Sequence, residues 1–239
     1  MLKAAMEMLL SLKTPTDVVV DGRNYSTVAL TPCKAPAPPK VALHSLSGLR
    51  DYLKTFTGRD PAISERSFFV SIDSPTCVSV VSTCEGKFNE RFTLAQATTA
   101  HDDFPFGRYM EQEEFVIALQ TMFVQDEALR AVLGVAGNLS AATDVNVQDD
   151  GVTQKVTVHL GVVQKAVVAV TNPVTLKPYR TFLEVEQAPC QLVLRFKKGR
   201  DGGAPSCALF EADGGLWKIK AMENCAAWLA DNGVADVLC

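Results

Sequence analysis

The sequence predicts an α+β fold of antiparallel sheets, with an inserted αα-hairpin and a closing helix. Three observations predict it. Runs of alternating apolar residues bounded by Gly, Pro, Asn and Asp cluster before and after one central stretch of helical periodicity. No repeat of 20 to 50 residues is present, which argues against a solenoid or propeller. Strands come in runs instead of alternating with helices, which disfavours a doubly wound parallel sheet. At 239 residues, with 47% apolar and 21% charged residues, the chain can bury a full core without staples.

Taken in order, residues 1–40 form an arm. Leu2, Met6, Leu9 and Leu10 share one helical face, and Glu7 interrupts what would otherwise be a secretion signal's apolar region. Residues 18–20 and 25–30 flank Asp21-Gly22 as a hairpin. Four prolines between Thr31 and Lys40 then deny the backbone ladder donors, marking a stiff connection and the boundary to a main domain at 41–239. Ser45 is placed to cap a helix over 46–56, with Leu46, Leu49, Leu53 and Phe56 on one side. Segments 67–73 and 77–84 bracket Ser74-Pro75-Thr76 as a hairpin, and a third strand over 91–96 completes an antiparallel meander.

The central helices follow. Phe115, Val116, Leu119, Met122 and Phe123 recur at helical spacing within 111–124, and a second helix runs over 126–135 until Gly137-Asn138 stops it. Strands return at 145–148 and 152–160 around Asp149-Asp150-Gly151, then at 181–185, 191–197 and 206–211, with turns at Ala188-Pro189 and 199–203. A last helix over 216–230 carries an apolar stripe of Leu216, Ile219, Met222, Ala226 and Leu229.

The search for chemistry excludes more than it finds. His44, His101 and His159 are far apart, and the seven cysteines (Cys33, Cys77, Cys84, Cys190, Cys207, Cys225, Cys239) form no C-x-x-C pair, so neither a zinc site nor a disulfide framework is indicated. His101-Asp102-Asp103 lacks the offsets of a calcium loop and reads as a solvated loop. Glu111, Glu113 and Glu114 favour a helix N-terminus. The 199–203 glycines lack G-K-[ST], and G-x-G-x-x-G and G-x-S-x-G are absent. Two N-x-[ST] sequons, at Asn24 and Asn138, read as coincidence in a cytoplasmic chain. Apolar runs such as 8–10, 18–20 and 166–170 fall far short of the ~20 residues that span a bilayer, so no membrane partner is expected. No cofactor and no catalytic set is expected either.

Charge is the feature above background. Residues 102–150 carry ten carboxylates against Arg108 and Arg130, a net of −8, while residues 172–200 carry six cations against Glu184 and Glu186, a net of +4. Lys177, Tyr179, Arg180, Arg195, Lys197, Lys198 and Arg200 are therefore the candidate ligand-binding residues, with cations for phosphate and Tyr179 for a base. Arg195 and Lys197 are two apart and share one side of a strand, Lys198 points opposite, and Arg180 must join from a neighbouring segment. The competing explanation of the same residues is an ordinary solvated face, or a patch that meets the acidic half of a second copy in a homo-oligomer.

Four stretches carry a resemblance: residues 106–120 (FGRYMEQEEFVIALQ), 149–154 (DDGVTQ), 172–187 (NPVTLKPYRTFLEVEQ) and 208–217 (ALFEADGGLW). They resemble an uncharacterised family of phage and prophage proteins from Gram-positive bacteria, over roughly residues 40–230. The resemblance implies a viral product in the host bacterium's cytoplasm and brings no catalytic residues with it. The first functional expectation is thus a non-enzymatic phage accessory protein, oligomeric, that binds an anionic ligand such as a host defence nucleotide, or binds a host defence protein. The alternative is a nucleic-acid-binding accessory of phage replication or recombination. An enzyme with a site gathered from distant residues comes third.

Overall fold

A computed structural model describes residues 2–13, 17–20, 23–26, 37, 39–64, 67–84, 89–140, 144–149, 154–160, 164–170, 172–197 and 205–239. The chain divides into two compact units, Met1–Ala37 and Pro38–Cys239. In the first, helix α1 (Leu2–Lys13) precedes an antiparallel pair, β1 (Asp17–Val20) and β2 (Arg23–Ser26), in the register Asp17 to Ser26. Met6 and Met8 are exposed on α1.

The second unit confirms the α+β class and builds two cores. One lies under a five-stranded sheet in the order β14-β4-β5-β6-β3, from β3 (Val41–Leu43), β4 (Phe68–Ser74), β5 (Cys77–Ser82), β6 (Thr93–Thr98) and β14 (Val237–Leu238). Its centre is the expected antiparallel meander, but both edge strands run parallel to their neighbours, so the sheet is mixed. Two- and three-residue edges with no alternation of their own give no sequence signal for this. Helices α2 (Leu46–Phe56) and α6 (Leu216–Asp231) fill the core with Leu46, Leu49, Leu53, Cys225 and Leu229, against Val70, Val78, Val80, Ala95 and Ala97. A short helix, α3 (Pro61–Ser64), adds Ile63. Each such buried leucine contributes about 2 kcal/mol over an exposed one.

Helix α2 starts where Ser45 Oγ accepts from the Gly48 amide at 3.0 Å. Phe56 differs from expectation: it is 43% exposed and packs on Tyr52, whose ring is 5.4 Å away and which takes the buried position instead. The stripe on α6 is also rotated from the expected one. Leu216 and Ile219 are 65% and 53% exposed, and the buried line is Ala221, Cys225 and Leu229. Apolar residues cover more than one side of the helix, so hydropathy alone allowed several stripes.

The other core lies between a four-stranded antiparallel sheet in the order β11-β12-β13-β7 and two helices. The strands are β7 (Met110–Glu111), β11 (Val174–Leu176), β12 (Cys190–Lys197) and β13 (Ser206–Glu211). The helices are α4 (Gln112–Met122) and α5 (Glu127–Ser140). Phe115, Leu119, Phe123, Leu129 and Ala136 pack on Leu192, Leu194, Cys207 and Leu209. Asp126 Oδ1 caps α5 by accepting from the Leu129 amide at 2.9 Å. That helix runs through Gly137 instead of stopping there. Burial of Leu129, Val132 and Ala136, and the bond from Gln112 Nε2 to the Ala136 carbonyl at 2.8 Å, outweigh the ~1 kcal/mol glycine penalty.

A separate three-stranded sheet contains β8 (Asp144–Asp149), β9 (Gln154–Leu160) and β10 (Gln164–Val170), all antiparallel. The expected strand at 181–185 is absent: that segment turns, with the Val185 amide bonding the Phe182 carbonyl at 3.3 Å. Among the described residues no helix is long and apolar enough to cross a membrane.

Candidate functional site at the seam between the two cores

The segment over 177–188 stitches the two cores together. At its start, the Val124 amide bonds the Lys177 carbonyl and the Tyr179 amide bonds the Met122 carbonyl, both at 2.9 Å, tying it to the end of α4. Further on, Phe182 and Val185 drop into the five-stranded core. Gln187, 4% exposed, holds the turn between: its Oε1 accepts from the amides of Arg180 (3.0 Å) and Thr181 (3.3 Å), and its Nε2 donates to the carbonyls of Phe182 (3.1 Å) and Val185 (3.3 Å). Those amides thus bond a side chain where a strand would have bonded a neighbour, which is why no strand forms here. Thr181 Oγ1 donates to the Pro75 carbonyl of the β4–β5 turn.

Arg180 is thereby planted in the seam at 8% exposure. Its guanidinium lies between two rings, 4.0 Å from the Phe106 centroid and 4.5 Å from that of Trp217, and its Nη1 ion-pairs with Glu211. Phe106 is set by Phe104, 4.8 Å away, which itself packs on Phe115 and Phe123. Trp217 is set by the start of α6. There Gly214 and Gly215 adopt φ of +63° and +90°, and Asp213 accepts from the amides of Gly215 (3.0 Å) and Trp217 (3.3 Å). A residue with a Cβ would strain that turn.

A cleft of about 530 Å³ opens at this point, lined by Ser74, Thr76, Asp103, Phe106, Arg180, Glu211, Trp217 and Lys218 among others. Arg180 Nη2 and Trp217 Nε1 are, among the described residues, the buried side-chain nitrogens or oxygens without a hydrogen-bond partner. Two buried donors without a partner therefore belong to residues that line one cleft. An unsatisfied buried donor costs about 1–3 kcal/mol, which an incoming acceptor recovers. Nearby, burial and then the Asp213 carboxylate push the Cys190 thiol up to about 12, so it stays protonated and unreactive at neutral pH.

The candidate residues from the sequence separate on this framework. Lys177 pairs with exposed Glu186 at 2.7 Å, and that hydrogen bond is the main cause that raises its pKa. Tyr179 is half-buried beside α4. Arg195 and Lys197 do share a face, as strand alternation requires, but it is the face opposite Arg180. Register pairs Arg195 with Ala208 and Lys197 with Ser206, whereas Glu211 pairs with the inward Leu192. On that outer face Lys197 Nζ stands 5.6 Å from the Tyr109 centroid, and Tyr109 meets Phe210 edge-on at 6.1 Å. Lys198 and Arg200 lie outside the described residues.

Residues the sequence reading did not single out, namely Gln187, Phe106, Glu211 and Trp217, build the seam. Their one sequence signal is proximity to the resembling stretches, which contain all four. Two other cavities carry less. A groove of about 620 Å³ includes Arg50, which already bonds Asp51 and Asn232 and stacks on Trp228. A pocket of about 370 Å³ shares Trp217 with the seam. Among the described residues, no group of three or more His, Cys, Asp or Glu could hold a metal ion. No protein-family model, no curated protein and no solved structure matches the chain.

Proposed function

We propose that this protein binds a small anionic ligand in the seam cleft and leaves it chemically unchanged. The observation that carries the reading is the pair of buried donors, Arg180 Nη2 and Trp217 Nε1, left without a hydrogen-bond partner on two residues that line the cleft. Both are shut off from solvent, so a rim side chain must swing as the ligand enters. Lys218, exposed on a flexible stem with its ammonium 5.9 Å from the Trp217 centroid, is suited to that and adds a third donor. At the buried donors themselves, guanidinium and indole hold a ligand by hydrogen bonds and supply neither base nor nucleophile. The resemblance to phage and prophage proteins provides a setting: sequestration of a host signal molecule. Isothermal titration against a panel of nucleotides and organic acids should find one site per chain. Trp217→Phe keeps the ring under Arg180, removes one donor, and should weaken binding about tenfold with an unchanged melt. No binding by the wild type, or a cleaved ligand on chromatography, overturns the reading.

A second reading, nucleic-acid binding, is favoured by the outer face of β12 and β13, which carries Arg195, Lys197 and the edge-on pair of Tyr109 and Phe210. Its signature is affinity for single strands that falls steeply with salt and is lost in Tyr109→Ala with Lys197→Ala. Salt-insensitive or absent binding removes it.

A further inference from the structure

The charge balance of the seam narrows what the ligand can be, and this step rests on the cleft being the binding site. The geometry points to a ligand that presents a single carboxylate on an apolar body, in preference to a phosphate dianion. The floor offers two N–H donors, Arg180 Nη2 and Trp217 Nε1, with the Arg180 Cζ only 4.5 Å from the indole centroid. A carboxylate has one oxygen for each donor, and its plane suits the edge of a guanidinium whose faces are already covered by Phe106 and Trp217. The rim limits the charge. Arg180 and Lys218 are balanced in the lining by Glu211 and Asp103, and Arg180 has already spent Nη1 on Glu211. One added negative charge tips this balance by one. A second faces two carboxylates with no further cation in the lining. The walls, from Pro75, Phe104 and Phe106, are apolar and suit a carbon body over a hydrated one.

The test uses the full chain carrying Trp228→Phe, so that Trp217 is the sole tryptophan and reports on its own cleft. Phenylacetate and phenyl phosphate share an aromatic body and differ in the anion, and at pH 8 the phosphate is a dianion because its second pKa is about 6. Phenylacetate should shift the Trp217 emission with a Kd at least about tenfold below that of phenyl phosphate. Asp103→Asn, on an exposed residue of the rim, should raise the affinity for phenyl phosphate more than that for phenylacetate and so narrow the gap between them. Phenyl phosphate binding as tightly as phenylacetate, or a gap unaltered by Asp103→Asn, overturns the carboxylate assignment while the cleft reading stands. A silent Trp217 with both compounds, together with a ligand from the wider panel that still needs the Trp217 donor, also overturns only the assignment. Silence from every compound overturns the cleft itself.

Discussion

Arg180 and Arg195 are the same side chain in two opposed settings. Arg180 reaches Glu211 on the side of the four-stranded sheet that carries Leu192, Cys207 and Leu209, and two rings enclose it. Arg195 stands on the other side, half-buried, across from Ala208. The first position is one where a cation cannot be exchanged for water: burial, cation–π contact and the ion pair all depend on it. Along the second face Lys197 is exposed, where charge is screened and adjustable and suited to attracting a partner. Counted along the chain the two arginines look alike. What separates them is the face, set by strand register and by the Gln187 turn that delivers Arg180 inward.

The largest expected effect tests that contrast directly. Arg180→Ala strips the filling from between Phe106 and Trp217 and leaves Glu211 without its partner, which should lower the urea unfolding free energy by about 2–4 kcal/mol, the 41% exposure of Glu211 keeping it from the top of the range for buried pairs. Lys197→Ala, on an exposed residue, should stay within about 0.5 kcal/mol, as surface substitutions do. Equal costs at Arg180 and Lys197 would break the distinction between seam and face.

The same contrast explains what could be read in advance. Local chemistry was legible: Ser45 as a cap, Ser74-Pro75-Thr76 as a hairpin turn, and the strands ending at Lys197 and Glu211 follow from nearest-neighbour patterns. Arg195 and Lys197 on one face follow from a period of two. The seam was not legible, because it is made by contacts between distant segments. Nothing near Arg180 in sequence announces Phe106, Glu211 or Trp217, and the bond from Thr181 to Pro75 spans 106 residues. Gln187 reads as an ordinary polar residue until its amide is seen replacing a strand ladder. Leu216 and Ile219 show the limit of periodicity: where apolar residues cover more than one side of a helix, the buried line is chosen by what packs against it.

A smaller effect sharpens the contrast in another residue type. Cys190 and Cys207 belong to the buried side of the four-stranded sheet, whereas Cys84 and Cys239 are exposed. Burial is the first cause that pushes the Cys190 and Cys207 thiols up to about 12, and it also raises Cys225. In the unfolded chain these thiols ionise near 9. The folded state therefore holds more protons than the unfolded state between those values. The sign follows: their contribution is fully present below pH 9 and is lost as pH rises toward 12. Urea unfolding at pH 8 and 9.5 should show a loss of about 1 kcal/mol for each of the two thiols, Cys190 and Cys207. Cys207→Ala should shallow that slope. Native protein at pH 8 should release its exposed thiols to a disulfide reagent quickly and Cys190, Cys207 and Cys225 only on unfolding. A pH-independent stability, or prompt reaction at Cys190, would mean that water reaches the sheet's inner face, and Arg180 would then lose the burial that distinguishes it from Arg195.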